Sequence, residues 1–275
     1  MENRLYTVQQ TADFQKYRLR YLIPSFDGHA LTLTLNRPEK KNALHPALLN
    51  ELAFALTYAH DASDVWMVVL AAAGDTFCAG MDLRALSAGN QEELTVPGPS
   101  GPVRLGDLMA GLHKPCLARV QGPVYAGGFL LVAGCTHVVA DERATFSLPE
   151  VKRGLFPFQV MASLLDIMPA RTALDLCLRA RTLTAAEAKQ AGLVTEVTDS
   201  VGLDAWVRSW VSELTQFSPT AMQFGLRAYQ QLRSIPQEGR QAFLLEQFQA
   251  IQQTADAQEG MAAFLEKRPP VWRGE

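Results

Sequence analysis

The segment Lys114–Glu150, KPCLARVQGPVYAGGFLLVAGCTHVVADERATFSLPE, carries the strongest structural signals in the chain. Its pattern predicts a buried strand over Pro115–Val120, a turn, a buried helix, and a second strand over Thr136–Ala140. Gly127 and Gly128 lie where the turn enters the helix, and glycines, which lack a Cβ atom, let another molecule approach the backbone closely. Because the first N–H groups of a helix have no intrahelical acceptors, this turn is suited to an anion or a developing oxyanion.

A second stretch has the same form. Thr76–Leu83, TFCAGMDL, follows a predicted buried strand over Trp66–Ala71 and precedes a new helix. A diglycine turn by itself is weak evidence for a site. Two such turns, each able to offer one inward-pointing N–H group, provide what an oxyanion hole needs.

The composition sets limits on partners and location. The 275 residues, 48% hydrophobic and 19% charged, suffice for one large core, or for one core with a helical appendage. The net charge of −3 gives no reason to expect nucleic acid or an anionic membrane as partner, so an anionic ligand would need a local basic patch. No apolar run approaches the roughly 20 residues of a membrane helix, and the polar start MENRLYTVQQ does not resemble a signal peptide. We therefore expect a cytoplasmic protein.

The cysteines and histidines predict no metal site. Cys78, Cys116, Cys135 and Cys177 are far apart in sequence and form no CxxC pair, so buried free thiols are favoured over disulfides or zinc. The histidines share no metal-ligand spacing and are interpreted as core or surface residues: His29, His45, His60, His113 and His137.

The first half of the chain alternates strands and helices. Tyr17–Phe26 and Ala30–Asn36 flank the turn dipeptide Asp27-Gly28 and predict a β-hairpin. Apolar residues at helical spacing predict a helix over Pro46–Asp61, and a shorter helix is expected over about Val103–Leu112. Between them, residues 87–102 are polar and rich in Gly and Pro, and they predict a mobile loop that is either a lid or a simple insertion.

Beyond Glu150 the sequence becomes helical. Helices are predicted over Met161–Met168, Pro169–Leu178 and Ala185–Ala191, the last with a capping box formed by Thr184 and Glu187. A last short strand, LVTEV, precedes three or four amphipathic helices over 202–266, with breaks near Pro219, Pro236 and Asp256. The chain thus divides into an α/β core over residues 1–200 and a helical region over 201–275.

Several of these motifs, in this order and at these spacings, resemble the crotonase superfamily, the enoyl-CoA hydratase/isomerase family. The matching stretches are LTLNRPEKKNAL, FCAGMDL, QGPVYAGGFLLVAGC, ATFSLPEVKRGLFP, LTAAEAKQAGLV and EGMAAFLEKRPP. The resemblance covers essentially the whole chain. It implies a crotonase-like (ClpP/crotonase) α/β fold of repeated ββα units with a C-terminal helical trimerisation region. It also implies homotrimers or hexamers, acyl-CoA thioesters as ligands, and no cofactor beyond the coenzyme A of the substrate.

The resemblance also assigns roles to residues. It makes the backbone N–H groups of Met81 and Gly127 the oxyanion-hole donors and makes Glu150 the catalytic carboxylate. It places coenzyme A and the acyl group against these positions: Lys41, Ala43, Ala79, Gly80, Met81, Asp82, Leu83, Arg84, Gly128, Leu130, Phe156, Phe158, Phe264 and Lys267. Lys41 and Arg84 are candidates for the phosphates, and Phe264 and Lys267 for enclosing coenzyme A, often from the neighbouring subunit.

Some of these assignments have a plain structural alternative. Phe264 alone reads as a core aromatic, and Asp82 as the cap of the helix after the turn. Phe156 and Phe158 either shape the acyl pocket or only close the core.

Leu130 is the main departure from the hydratase pattern. Hydratases of this family use two glutamates, and the first would stand at this position. A leucine cannot orient water or exchange a proton, so the arrangement looks like the single-carboxylate Δ3,Δ2-enoyl-CoA isomerases. Alternatives remain: a hydratase or decarboxylase acting on another acyl chain, or a non-catalytic acyl-CoA-binding protein. Glu92 or Glu93 in the loop is a candidate replacement for the missing glutamate.

Overall fold

A computed structural model describes residues 4–88 and 93–275. Within them, six strands form the main sheet in the order β1-β2-β3-β4-β6-β9. The strands are β1 (Leu22–Asp27), β2 (Ala30–Leu35), β3 (Met67–Ala72), β4 (Cys116–Val120), β6 (His137–Asp141) and β9 (Glu196–Thr198). The first two strands form the predicted antiparallel hairpin, and every later neighbour is parallel. β3 is buried along its whole length, as its unbroken apolar sequence predicts.

A smaller sheet lies beside the main one. It consists of β5 (Val124–Tyr125), β7 (Thr145–Ser147) and β8 (Thr182–Thr184). β5 and β7 run parallel, whereas β7 and β8 are antiparallel. This sheet positions the candidate site, because both glycine turns and the segment that leads to Glu150 adjoin it.

Helices cover the sheets and make up the C-terminal part. They are α1 (Val8–Ala12), α2 (Pro46–Asp61), α3 (Leu83–Ala88), α4 (Leu105–Ala110), α5 (Phe129–Gly134), α6 (Phe158–Leu165), α7 (Ala170–Arg179), α8 (Ala185–Gln190), α9 (Gly202–Leu214), α10 (Pro219–Leu232), α11 (Arg240–Ile251) and α12 (Ala255–Glu266). None of the helices in the described part of the chain has both the length and the apolarity to span a membrane.

Two apolar clusters build the interior. The larger one fills the space between the sheets and helices α2, α4 and α5, with Phe54, Phe129 and Phe146 fully buried. The smaller one lies on the other face of the main sheet, where α9 packs Leu203 and Trp210 against β4 and β6. Burial of these faces supplies the main driving force for folding.

The predicted helix boundaries are correct in the core and less accurate further on. α2 has the predicted bounds, and the capping box of Thr184 and Glu187 forms at the start of α8. α6 begins three residues earlier than predicted, and β9 consists of the last two residues of LVTEV together with Thr198. The predicted break near Asp256 is confirmed, because α11 ends at Ile251 and α12 begins at Ala255. Thr254 caps α12, and the buried Asp256 sits in its first turn, where its Oδ1 accepts the N–H groups of Arg273 and Gly274.

The loop predicted over residues 87–102 is partly outside the described residues. Residues 89–92, including Glu92, lie there, and Glu93 is exposed. The remaining part is attached to α2: Thr95 Oγ1 donates to Glu51 Oε1 at 2.6 Å, and Asn50 Nδ2 donates to the Pro97 carbonyl at 3.3 Å. These contacts hold the second half of the loop against the core.

Candidate active site

Three short segments run parallel beneath the candidate site. Cys78 bridges Val124, and Val124 in turn pairs with Phe146 across the small sheet. Parallel segments end at the same edge, so the residues that follow them meet there. Those residues are Met81, three positions after Cys78; Gly127, three after Val124; and Glu150, four after Phe146.

The two glycine turns are in direct contact. Gly80 has a φ of +86°, and a Cβ atom placed on it would lie 2.6 Å from Ala126 Cβ and 3.2 Å from Gly127 N. A Cβ atom on Gly127 would lie 3.7 Å from Met81 N. Within residues 4–88 and 93–275, neither the Met81 nor the Gly127 N–H donates a hydrogen bond. Two adjacent N–H groups without acceptors are what an oxyanion hole requires.

Asn42 holds residues 41–44 in place, and this segment pairs with the first glycine turn. Asn42 is fully buried with a φ of +52°, and its Nδ2 donates to the carbonyls of Ala73 and Thr76, both at 2.8 Å. Its Oδ1 accepts the Arg37 N–H at 2.8 Å. A left-handed conformation at a non-glycine residue is uncommon and is tolerated here because the side chain's hydrogen bonds over-determine it.

Backbone hydrogen bonds then align this segment with the first glycine turn. The Ala79 N–H donates to the Lys41 carbonyl at 3.0 Å, and the Leu44 N–H donates to the Gly80 carbonyl at 2.8 Å. Lys41 and Ala43, both predicted to contact coenzyme A, are therefore beside the Ala79–Met81 turn, and the Lys41 side chain is exposed.

The second turn is held by close packing. A Cβ atom on Gly128 would lie 2.9 Å from Cys78 Cβ and 3.1 Å from Cys78 Sγ. Ala126, just before the donor at Gly127, has a φ of +50°. Only a small residue fits at position 128, and the strained conformation of Ala126 lies where such strain is commonly functional.

Glu150 opens a 3-10 helix at the end of this constellation. Its Oε2 atom is buried and has no hydrogen-bond partner within the described part of the chain. Burial raises the pKa of the Glu150 carboxyl above its ordinary value, and the charge of Arg153 only partly offsets this. A half-buried carboxylate with one unpaired oxygen and a raised pKa is suited to accept and return a proton.

The first turn of α5 is apolar. Leu130 is only 6% exposed and lies in the first turn of α5, beside Phe129 and Leu131. Its Cδ2 would lie 3.8 Å from a Cβ atom on Gly106 in α4. Position 130 thus carries an apolar side chain, which can neither exchange a proton nor hold water by a hydrogen bond.

Asp82 has a structural role. Its Oδ2 receives a hydrogen bond from Arg37 Nη1 at 2.7 Å, and its Oδ1 accepts the Ala85 N–H in the first turn of α3. The Arg37 hydrogen bond holds the pKa of the Asp82 carboxyl below its ordinary value. Asp82 therefore caps the helix, as predicted from its position after the turn, and anchors it to the segment before Lys41.

The other predicted ligand contacts lie at the periphery. Leu83 and Arg84 are exposed at the start of α3, next to Met81. Phe156 and Phe158 contact each other with ring centroids 5.0 Å apart, and the Leu155 N–H donates to the Glu150 carbonyl, so this aromatic pair adjoins the carboxylate segment. Phe156 packs against the main core, whereas Phe158 is 69% exposed.

Phe264 and Lys267 lie at the end of α12, which packs against α10. The interpretation of Phe264 as a core aromatic is wrong, because its side chain is 83% exposed. No contact among the described residues brings either of them to Glu150 or to the glycine turns. The assignment of Phe264 and Lys267 to the ligand site stays a prediction.

Sequence reasoning missed three residues of the site. Arg37 and Asn42 shape the first turn, and their signal was only their place in the polar stretch NRPEKKNAL. Cys177 on α7 faces Glu150, whose charge adds to the effect of burial in raising the pKa of the Cys177 thiol. The pairing of Cys177 with Glu150 joins residues distant in sequence, so no local pattern predicts it.

Comparison with known proteins agrees with this geometry. The family model described as Enoyl-CoA hydratase/isomerase matches residues 27–275. The chain is 34% identical to the enoyl-CoA hydratase EchA19 of Mycobacterium tuberculosis, over 88% of this chain and 92% of that protein. It is 31% identical to the 2,3-dehydroadipyl-CoA hydratase of Escherichia coli K12, over 92% of this chain and 98% of that protein.

A solved structure shows the same fold. The crystal structure of an enoyl-CoA hydratase from Mycobacterium smegmatis superposes with a TM-score of 0.81 at 30% identity, covering 92% of this chain and 99% of that one. The family match spans nearly the whole chain and includes both glycine turns and Glu150. The protein therefore belongs to the enoyl-CoA hydratase/isomerase family of the crotonase superfamily, and it is an acyl-CoA enzyme with the crotonase fold.

Proposed function

We propose that this enzyme converts Δ3-enoyl-CoA thioesters to Δ2-enoyl-CoA thioesters, with Glu150 as the group that moves the proton. The observation that carries the proposal is a single glutamate at the edge where the two glycine turns meet. Its Oε2 is buried without a hydrogen-bond partner among the described residues, and position 130 is a leucine. Isomerisation needs one carboxylate, whereas hydration of the ordinary kind needs two.

The mechanism follows from the positions of the groups. Glu150 removes the proton at C2 of the acyl group, and the charge that develops on the thioester oxygen is bound by the N–H groups of Met81 and Gly127. Each such donor contributes on the order of 10²–10³ in rate. Protonated Glu150, favoured by its burial, then returns the proton at C4. Leu130 excludes water from the dienolate, which suppresses addition of water.

Coenzyme A enters this proposal as part of the substrate. Lys41 is exposed beside the first glycine turn, and Arg84 is exposed in the first turn of α3, so their charges are placed to meet phosphate groups. Leu83, Ala43 and Ala79 would line the same path. Phe264 and Lys267 would close it from a neighbouring copy in a homotrimer or hexamer.

Hydration is the second candidate, and the relatives favour it. EchA19 of Mycobacterium tuberculosis and the 2,3-dehydroadipyl-CoA enzyme of Escherichia coli are both named hydratases. For this chain, hydration would require Glu150 to activate water alone or with a group that approaches from the loop near Glu93. Isomerisation is favoured because Leu130 occupies the place where such water would be held.

Proton NMR in D₂O separates the two reactions. Purified protein is incubated with 3-hexenoyl-CoA and, separately, with 2-hexenoyl-CoA. Isomerisation predicts conversion of the 3-enoyl to the 2-enoyl thioester without a 3-hydroxyacyl product. A 3-hydroxyacyl product from the 2-enoyl thioester, with no movement of the 3-enoyl double bond, would replace the proposal with hydration. Deuterium at C2 without either product would retain the enolate chemistry and change only the substrate.

A matched pair of variants tests the role of Glu150. Glu150→Gln keeps size and removes the base, so we expect turnover to fall by about 10²–10⁴-fold with coenzyme A affinity retained. Glu142→Gln makes the same change at an exposed residue of the turn after β6 and should leave turnover unchanged. Unchanged turnover in Glu150→Gln would show that another group is the base, whereas coenzyme A binding without any turnover in the wild type would support a non-catalytic acyl-CoA-binding protein.

A further inference from the structure

Two thiols outside the catalytic constellation lie within reach of each other. Cys116 Sγ and Cys135 Sγ are 3.3 Å apart, and both cysteines are reduced. Cys116 is in β4 and only 1% exposed, whereas Cys135 directly follows the last residue of α5. A disulfide S–S bond is about 2.05 Å long, so the sulfur atoms need to close by roughly 1.3 Å.

The backbone holds the two cysteines in this relation. Thr136 Oγ1 accepts the Cys116 N–H at 3.0 Å and donates to the Cys116 carbonyl at 2.9 Å. One residue further along, Leu117 pairs with His137 in the parallel β4–β6 ladder. Because the residues next to both cysteines are fixed, the backbone keeps Cys116 and Cys135 at neighbouring positions, from which their sulfur atoms can approach each other.

A cavity gives a small reagent access to this pair. Cys135, Gly134 and Thr136 line a cavity of about 1050 Å³ that lies between α4, α6 and α10. Cys78 and Cys177 do not line it. Burial raises the pKa of the Cys135 thiol well above its ordinary value, so the thiol reacts slowly and stays reduced unless an oxidant persists.

We propose that Cys116 and Cys135 are a redox modification site that closes to an intramolecular disulfide when hydrogen peroxide enters the cavity. Cys135 sulfur first attacks one peroxide oxygen; the O–O bond breaks, water leaves, and Cys135 becomes a sulfenic acid. Cys116 sulfur then attacks the Cys135 sulfur; the S–S bond forms, the S–O bond breaks, and the oxygen leaves as a second water. The two sulfur atoms supply the two electrons that reduce the peroxide.

The disulfide tethers the end of α5 to β4. α5 is only six residues long, and its other end follows Gly127 and Gly128 of the oxyanion turn. Gly134 cannot shift freely, because a Cβ atom there would already lie 2.4 Å from Met109 Cβ in α4. Closing the disulfide therefore pulls α5 along its axis and displaces the turn, which lowers turnover on the order of tenfold. This consequence rests on the proposed function, whereas disulfide formation does not.

The first experiment follows the covalent change. Wild-type protein, freed of reductant, is treated with hydrogen peroxide and analysed by intact mass and by non-reducing peptide mapping. We expect a loss of about 2 Da, a cross-link between the Cys116 and Cys135 peptides, and full reversal by dithiothreitol. Cys116→Ser and Cys135→Ser should each abolish the cross-link, with Cys116→Ala and Cys135→Ala as replacements if a serine variant does not fold. Four free thiols after oxidation, or a sulfinic acid on Cys135 without the cross-link, would overturn the proposal.

The second experiment measures turnover before and after oxidation, as deuterium exchange at C2 of the acyl group. We expect about a tenfold loss in the wild type, recovered with dithiothreitol, and no loss in Cys116→Ser. Unchanged exchange in the cross-linked protein would overturn the link between tether and turn. Absence of exchange in the reduced protein would count against the proposed function and leave the mass result to decide on the disulfide.

Discussion

We expect the burial of Glu150 to determine how kcat/KM depends on pH. Its raised pKa means that the carboxylate, the form that accepts a proton, is lost at a higher pH than for an ordinary glutamate. We expect kcat/KM for proton exchange to fall as the pH falls through this raised pKa, with the acid limb above the value of about 4.3 for an exposed glutamate. The measurement is deuterium exchange at C2 between pH 4 and 8.

The matched control for this profile is the exposed Glu142→Gln variant, whose acid limb should coincide with that of the wild type. A wild-type profile that stays flat down to pH 4 would mean that the Glu150 carboxyl is not desolvated during turnover. If the acid limb shifts in Glu142→Gln, then the charge of a distant residue, rather than the burial of Glu150, determines the pH at which kcat/KM falls.

Gly128 shows how narrowly the second turn is packed. In Gly128→Ala the new Cβ atom would lie 2.9 Å from Cys78 Cβ, so the turn must shift away from the first one. We expect turnover to fall by about 10–100-fold, because the Gly127 N–H moves with the turn. Gly225→Ala in α10 is the control, since nothing lies within 4 Å of the added Cβ atom there. Equal kinetics for the two variants would show that the turn is not rigid.

The junction between β6 and α9 is stabilised by one buried carboxylate. Asp141 accepts hydrogen bonds from the backbone N–H and the Nε of Arg143, both at 2.9 Å, and from Ser200 Oγ at 2.5 Å. These hydrogen bonds, led by that of Arg143, hold the pKa of the Asp141 carboxyl below its ordinary value. We expect Asp141→Asn to lower the free energy of unfolding by about 2–3 kcal/mol at pH 7, measured by urea denaturation.

The lowered pKa of Asp141 predicts how the loss of unfolding free energy in Asp141→Asn depends on pH. A carboxyl whose pKa is lower in the folded than in the unfolded state stabilises the fold above the unfolded value of about 3.9, and the stabilisation is lost as the pH falls below it. The difference between wild type and Asp141→Asn should therefore narrow below pH 4. Arg143→Ala is the control. It should lower the free energy of unfolding by less than Asp141→Asn does, because Asp141 keeps Ser200 as a hydrogen-bond partner. If the difference in unfolding free energy between wild type and Asp141→Asn widened below pH 4, the stabilising role of ionised Asp141 would be contradicted.

The elements that could be predicted are those with local signals. α2 was predicted with its observed bounds because its apolar spacing repeats over four turns, and the hairpin around Asp27-Gly28 was predicted from its turn dipeptide. β5 and β7 were not predicted. Strands of two or three residues show no periodicity, and their existence depends on pairing between segments far apart in sequence.

The same distinction holds for the site. The glycine turns and Glu150 stand in motifs that can be read directly, and the structure brings both turns together. Asn42 and Cys177 could not have been assigned, because their roles arise from contacts across 31 or more positions of sequence in one case and from the packing of α7 in the other. Exposure of Phe264 likewise depends on what α12 packs against, which its own sequence does not encode.

At the level of the whole protein, the C-terminal helices leave large apolar side chains exposed. They include Leu244, Leu245 and Phe248 on α11 and Phe264 and Leu265 on α12. Apolar surface of this kind on a folded chain commonly marks a contact with another protein. We expect sedimentation velocity to give a homotrimer or hexamer, and Phe248→Asp to shift the protein toward smaller species because it would bury a charge in the interface.

Val201→Asp provides the control for the assembly experiment. Val201 is also exposed, but it lies outside α11 and α12, so its replacement should leave sedimentation unchanged. A wild-type protein that sediments as a monomer at micromolar concentration would contradict the expected assembly. Such a monomer would also leave Phe264 and Lys267 without the neighbouring copy through which they are proposed to enclose coenzyme A.

In the proposed mechanism the backbone stabilises the enolate and the side chains select the reaction, and this affects how such an enzyme can evolve. The groups that would bind the enolate are the N–H groups of Met81 and Gly127, and every amino acid except proline carries one. Point mutations therefore rarely delete them, whereas in the proposed mechanism the choice between moving a double bond and adding water depends on single side chains such as Leu130. A lineage with this scaffold can exchange one reaction for another by one or two codon changes while its charge-stabilising centre is inherited intact.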